Sequence, residues 1–221
     1  MESTKAARIL TVAGDLVLRR GVRGVTVAEI AEKAHVGKGT VYLYWDTKED
    51  LLVSLFARDF LAVADEYHTA LTADPDVCRP HRMVPRMVRT ALEHPFVRAL
   101  QTDDIGLLGV LAEHPRSKEL LETLGPNALL DQVLPVWRRH HLARTDWALA
   151  DQAYALRALT DGFIAAATKT DIPVDSPDHI MAATVLALLG PSEANTADVE
   201  ATATEGLRLL DEARQAALGL T

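Results

Sequence analysis

The stretch Thr26–Lys48, TVAEIAEKAHVGKGTVYLYWDTK, decides the fold. It holds two short helical patterns separated by a three-residue turn. Thr26 with Glu29 three residues later reads as a capping box: the Thr hydroxyl takes a free backbone amide and the Glu side chain reaches back to the Thr amide. A helix therefore starts at Val27, with Val27, Ile30, Ala31 and Ala34 on its apolar face. After His35, Val36 and Gly37 a second helix runs from Lys38 to about Trp45. A helix this short is marginal alone, so packing must hold it, and Val41 and Trp45, four apart, are its anchors. Lys38, Gly39, Thr40, Tyr42 and Tyr44 are left to point elsewhere. Two such helices joined by a tight turn form the helix-turn-helix arrangement, whose second helix enters the DNA major groove.

The flanks extend this unit. A first helix runs from Ser3 or Thr4 to Arg20, with Ile9, Ala13, Leu16 and Val17 at helical spacing, and Gly21 ends it. Asp46 or Thr47 caps a fourth helix whose first turn carries Glu49 and Asp50 at its positive end. This helix continues to about Leu71 with Leu52, Leu55, Phe56, Phe60 and Val63 as its stripe, and joins the first unit to the rest.

Composition agrees with an all-α chain. Apolar residues make up 48% of 221 positions and Ala and Leu dominate them, while Gly and Pro fall between periodic segments. Further helices are expected at about 79–93, 96–113, 117–124, 127–142, 146–169, 177–189 and 196–217, with 190–198 as a surface loop. The single cysteine, Cys78, excludes an intramolecular disulfide and suits a reducing compartment. The start MESTKAARIL has no apolar core behind a basic leader, and no apolar run approaches the ~18–20 residues of a membrane span. A cytoplasmic protein with no membrane partner is expected.

The net charge of −8 argues at first against a nucleic-acid partner, but its distribution does not. Residues 1–50 carry eight Lys or Arg against seven Asp or Glu, and the remainder 15 against 24, so the acidic excess lies on the body.

The Ile9-to-Gly21 pattern, TVAEIAEKA, VGKGTVYLYW and TKEDLL together resemble the TetR family of bacterial transcriptional regulators over roughly residues 5–55. The resemblance implies a three-helix DNA-binding domain at 1–47 and a larger helical ligand-binding and dimerisation domain at 48–221. It puts Tyr42 and Lys48 against phosphates, and Lys38, Gly39, Thr40 and Tyr44 near base edges or backbone. Thr26, at a helix N-terminus, can donate to a phosphate beside the free amides of its first turn. There are departures from the family pattern: His35 stands where Gly is usual, Gly37 where Ser is common, and Trp45 where Phe is usual. A positive φ at His35 is thus expected.

The resemblance also implies a ligand site in the body, with no cofactor and no metal assigned. Phe96, Gln101, Asp104, Trp137, His141, Tyr154 and Phe163 combine aromatic surface with polar handles and are its candidates. Arg157 and Asp161, four apart, are expected to pair. Small residues on the 146–169 segment and on the last helix, where Ala203, Gly206, Leu210, Ala213 and Ala217 fall together, suggest a four-helix contact between two subunits, with packing inside one subunit as the alternative. A homodimer would match a palindromic operator in double-stranded DNA.

The expected function is a ligand-responsive repressor released from its operator by a small-molecule inducer. Two alternatives stand beside it, a helical interaction module without DNA binding and a metal-responsive regulator. An enzyme is not expected: a helical di-iron site needs two Glu-x-x-His motifs and only Glu32 with His35 has that form, no Gly-x-Ser-x-Gly turn occurs, and neither His140 with His141 nor Cys78 with His81 completes a metal ligand set.

Overall fold

The computed structural model describes residues 4–169, 173–190 and 194–219. Among them there are twelve α-helices and no strand: α1 (Thr4–Arg20), α2 (Val27–Lys33), α3 (Lys38–Tyr42), α4 (Lys48–Ala73), α5 (Pro80–Glu93), α6 (Pro95–Gln101), α7 (Ile105–Leu108), α8 (Pro115–Leu124), α9 (Pro126–Arg139), α10 (Leu149–Lys169), α11 (Pro177–Leu189) and α12 (Thr196–Leu218). Short 3-10 turns follow α1, α4 and α7. Ser3 and part of the 190–198 loop lie outside the described residues.

The expected segment 96–113 is not one helix. It breaks after Gln101, where Asp103 adopts φ 50° and Asp104 caps α7 by accepting from the Leu107 amide, and it turns again at Gly109, φ 54°. The apolar periodicity persists across both breaks, which is why the sequence reads as continuous.

At 26 residues α4 is about 39 Å long and is the spine of the molecule. Its start is fixed by a full capping box: Thr47 Oγ1 accepts from the Asp50 amide at 3.0 Å and Asp50 Oδ2 accepts from the Thr47 amide at 3.1 Å. Leu51, Leu52, Leu55, Phe56, Phe60 and Val63 are buried along it. Phe56 stacks on Phe96 of α6 at 5.2 Å. α1 packs on α2 and α4, whereas α12 packs on α4, α9 and the 3-10 turn after α4, and α11 lies along α5.

The orientation of the last helix differs from one half of the dimer expectation. Ala203, Leu210, Ala213 and Ala217 are buried within the subunit, and a Cβ at Gly206 would meet Leu71 of α4 at 3.9 Å. Its small-residue face is therefore internal. On α10 the space beside Gly162 is open, and Tyr154 is 77% exposed.

The α5–α6 corner is clamped to α4 by charge. His94 Nδ1 lies 3.1 Å from Asp59 Oδ1, and its Nε2 lies 2.9 Å from Glu66 Oε1, while Asp59 Oδ2 accepts from the Phe96 amide at 2.9 Å. Burial alone would lower the imidazole pKa, but the bonds to Glu66 and Asp59 outweigh it and hold it above the ordinary value. A histidine with a raised folded-state pKa contributes stability that is fully present below the unfolded pKa and is lost as pH rises through the folded one. His94→Gln should therefore lose more stability relative to the parent at pH 6 than at pH 9 in urea melts. An equal loss at both values would show that the charged imidazole does not hold this corner.

Candidate nucleic-acid interface and ligand cavities

The expected turn chemistry is present. His35 adopts φ 51°, and Gly37 caps α3 in extended geometry without a side-chain bond. Val41 and Trp45 are buried, and Trp45 Nε1 donates to Ser54 Oγ on α4 at 2.9 Å. This indole bond and the Thr47 cap tie α3 to the start of α4. Thr26 caps α2, accepting from the Glu29 amide at 3.3 Å. The reciprocal half of that capping box is replaced, because Glu29 pairs with Arg20 at 2.5 Å.

The outer face of this unit is exposed at Thr26, Lys38, Gly39, Tyr42, Leu43 and Tyr44, with Thr40 half-buried among them. Lys38 Nζ lies 5.7 Å from the Tyr42 ring centroid, and Tyr44 packs against Trp45. No side chain grows from Gly39 and a Cβ there would meet nothing within 4 Å, so the backbone is open to close approach. Lys48 differs from the simplest expectation. It is half-buried, and its ammonium donates to the Val22 carbonyl at 2.7 Å, tying α4 to the α1–α2 corner. Two of its three N–H donors are left over for an anion.

Leu43 was not among the expected residues. It is 83% exposed, between Tyr42 and Tyr44, and an apolar side chain on such a face suits a thymine methyl group. Its signal in the sequence was faint, because Leu two residues after buried Val41 reads as core.

The corner Gly21–Gly24 seats on the body. Gly21 has φ 69°, and a Cβ there would stand 2.5 Å from the Gly106 carbonyl oxygen of α7. Asp50 also reaches the body: its Oδ1 accepts from Arg116 of α8 at 3.1 Å, and the hydroxyl and backbone bonds from Thr47, followed by the charge of Arg116, hold its carboxyl below the usual range against burial.

The seven body candidates do not converge. Phe96 and Trp137 are buried core, the latter with its indole N–H donating to the Cys78 carbonyl at 2.7 Å. Asp104 caps α7, His141 turns the chain with φ 60°, Tyr154 lies on the open face of α10, and Phe163 packs partly against the core. Gln101 lines a cavity of about 400 Å³, shared with Glu122, Asn127, Asp131 and Arg157. There Arg157 pairs with Asp131, not Asp161, whose carboxylate accepts from Asn127 at 2.9 Å.

A second, apolar space lies between α4, α5, α9 and α12. It is a seam of about 40 Å³ lined by Tyr67, Leu71, Met83, Met87, Leu129 and Leu210. Tyr67 donates its hydroxyl to the Met87 carbonyl at 3.0 Å, and burial raises its pKa far above the ordinary value. Cys78 is buried nearby in the fold, its thiol pushed up to about 12 by burial. Among the described residues no group of three His, Cys, Asp or Glu is placed to hold a metal ion, and no helix is long and apolar enough to cross a membrane.

The model for bacterial regulatory proteins of the tetR family matches residues 9–55. The fatty acid metabolism regulator protein of Bacillus subtilis is 26% identical over 181 residues, 72% of this chain and 92% of that protein. In structure the chain is similar to the fatty acid degradation regulator FadR of Bacillus halodurans, with a TM-score of 0.62 and 21% identity over 88% of this chain and all of that one. It is also similar to FadR of Bacillus subtilis solved in complex with stearoyl-CoA, with a TM-score of 0.59 and 18% identity over 83% of this chain and 96% of that one.

Proposed function

We propose that this chain is a transcriptional regulator of the TetR type, a repressor that reads a palindromic operator as a homodimer and is released by a ligand carrying an acyl chain; the tetR-family match over residues 9–55 and the similarity to a fatty acid metabolism regulator support the reading. Thr26, Lys38, Gly39, Thr40, Tyr42, Leu43, Tyr44 and Lys48 are the proposed contacts. Lys38, Tyr42 and the remaining donors of Lys48 position the phosphates, while Thr40 and Leu43 meet base edges. Two subunits pair through the exposed face of α10 and α11, where Tyr154, Ala158, Ile180, Ala183 and Leu186 form an apolar surface beside Gly162.

One observation carries the ligand reading. The seam between α4, α5, α9 and α12 is almost wholly apolar, yet at about 40 Å³ it is far smaller than a pocket for a long hydrocarbon chain. Its methionines are adaptable, but an acyl chain enters only if α4 or α12 moves. α4 lines the seam through Tyr67 and Leu71 and begins at the Thr47 cap under α3, so the displacement that admits ligand also displaces the reading helix. The names of the relatives, regulators of fatty acid metabolism and degradation, motivate the choice of probe.

A second reading rests on the open cavity around Gln101, whose volume and Arg157–Asp131 pair suit a small polar ligand. Palmitoyl-CoA separates the two. At micromolar concentration it should raise the thermal midpoint and dissociate the protein–operator complex. If the complex survived saturating palmitoyl-CoA, the acyl reading would be wrong and the polar cavity would take its place.

A further inference from the structure

The body is acidic overall, but one segment of it is the opposite. From Val77 to Leu92 there is no Asp or Glu, and Arg79, His81, Arg82, Arg86 and Arg89 all fall within it. Most of this segment is α5, which brings His81, Arg82, Arg86 and Arg89 to the side facing α11. Between the two helices lies a groove of about 310 Å³ lined by His81, Arg82, Arg86, Arg89, Asp178 and His179. His81, Pro85 and Arg89 repeat at four-residue spacing and share one face of α5, whereas Met83 and Met87, which line the apolar seam, lie on the opposite one.

The cations are not equally satisfied. Arg79 pairs with Asp76, Arg82 with Asp74 and Asp76, and Arg89 with Asp178. Arg86 is half-buried and, among the described residues, has neither an ion pair nor a side-chain hydrogen bond. A guanidinium withdrawn from bulk water without a counter-charge is costly, and its planar fork matches a phosphoryl group bidentately. Two imidazoles, His81 of α5 and His179 of α11, line the same groove.

We propose that this groove between α5 and α11 binds a phosphorylated small molecule, with Arg86 taking the phosphoryl oxygens bidentately and His81, Arg89 and His179 completing the ring of donors. The shared chemistry is a polyanionic phosphate, free or carried on a nucleotide. Proton uptake follows from the surroundings of His81. Burial, then Arg79 and Arg82, hold its pKa below the ordinary value against the opposing pull of Asp76. Arg86, Arg89, Asp178 and His179 complete the charged and titratable lining. A bound phosphate reverses that balance, so affinity should rise from pH 8 to pH 6 and fall with salt.

The test is isothermal titration of the full chain without DNA, using inorganic pyrophosphate and adenosine 3′,5′-bisphosphate. Neither probe carries an acyl chain, so the outcome is independent of the seam reading. Both should bind once per chain, tighter binding of the nucleotide assigning a base-bearing ligand and equal binding assigning phosphate alone. Arg86→Gln should weaken binding roughly ten- to hundredfold, the size expected for charged hydrogen bonds, with His179→Gln as an independent second variant from α11. Arg208→Gln, an exposed arginine on α12, should change it less than about twofold. Absence of binding by both probes, or unchanged affinity in the groove variants, would overturn the proposal.

Discussion

Replacing Trp137 by alanine is expected to cost about 3–5 kcal/mol of stability, among the largest effects available to a single substitution in this chain. The indole is wholly buried, so its removal leaves a cavity that α9 and the neighbouring 3-10 turn fill only in part. It also strands the Cys78 carbonyl, which accepts the indole N–H at 2.7 Å. Trp137→Phe keeps most of the buried area and isolates that second cost, about 1–3 kcal/mol for a buried acceptor left without a donor. Urea unfolding of both variants measures the two contributions. A small loss in Trp137→Ala, with a change in ligand response instead, would return the residue to the ligand-site role its composition first suggested.

Gly21→Ala should cost about 2–4 kcal/mol for a different reason, since no core volume is lost. The backbone there has φ 69°, a conformation that side chains other than glycine disfavour, and the new Cβ would stand 2.5 Å from the Gly106 carbonyl oxygen. Something must shift, because the Gly106 carbonyl is backbone and a Cβ held directly on the Gly21 backbone cannot rotate away from it. The shift falls on the corner between α1 and α2, where Lys48 also donates to the Val22 carbonyl. Helix α4 is thus not the sole link between reading head and body; the corner seated on α7 is another, and under the proposed mechanism a ligand-driven movement of either would reach α3. Denaturant melts with the full chain would register the loss, and a change below about 0.5 kcal/mol, the range of a neutral surface site, would mean the corner is not seated as described.

Much of the DNA-reading unit was legible because its signals are local. A cap acts on the amides two or three residues away, and Val41 and Trp45 are neighbours on one short helix, so their types and spacing suffice. Even there the partner of Glu29 was not local: Arg20, nine residues back on α1, outcompetes the Thr26 amide for its carboxylate. The body was legible as helices and little more. The break at Thr102–Asp104 depends on backbone geometry that an unbroken apolar pattern hides. The stripe of small residues on α12 predicts close packing without saying against what, and it packs on α4 of its own subunit. The seven ligand candidates shared a composition but not a location, since aromatic and polar residue types do not encode which helices face each other. The exposure of Leu43 likewise depends on where α3 turns after Tyr42.

The most direct measurement of the central claim is selection of the full-length protein against a random duplex library, followed by gel shifts with the enriched sequence. A two-fold sequence should emerge with half-sites about one helical turn, or a multiple of it, apart, and Tyr42→Ala should weaken binding across sequences while leaving the fold intact. If no sequence were enriched by a correctly folded protein, the chain would be a helical interaction module and not a reader of DNA.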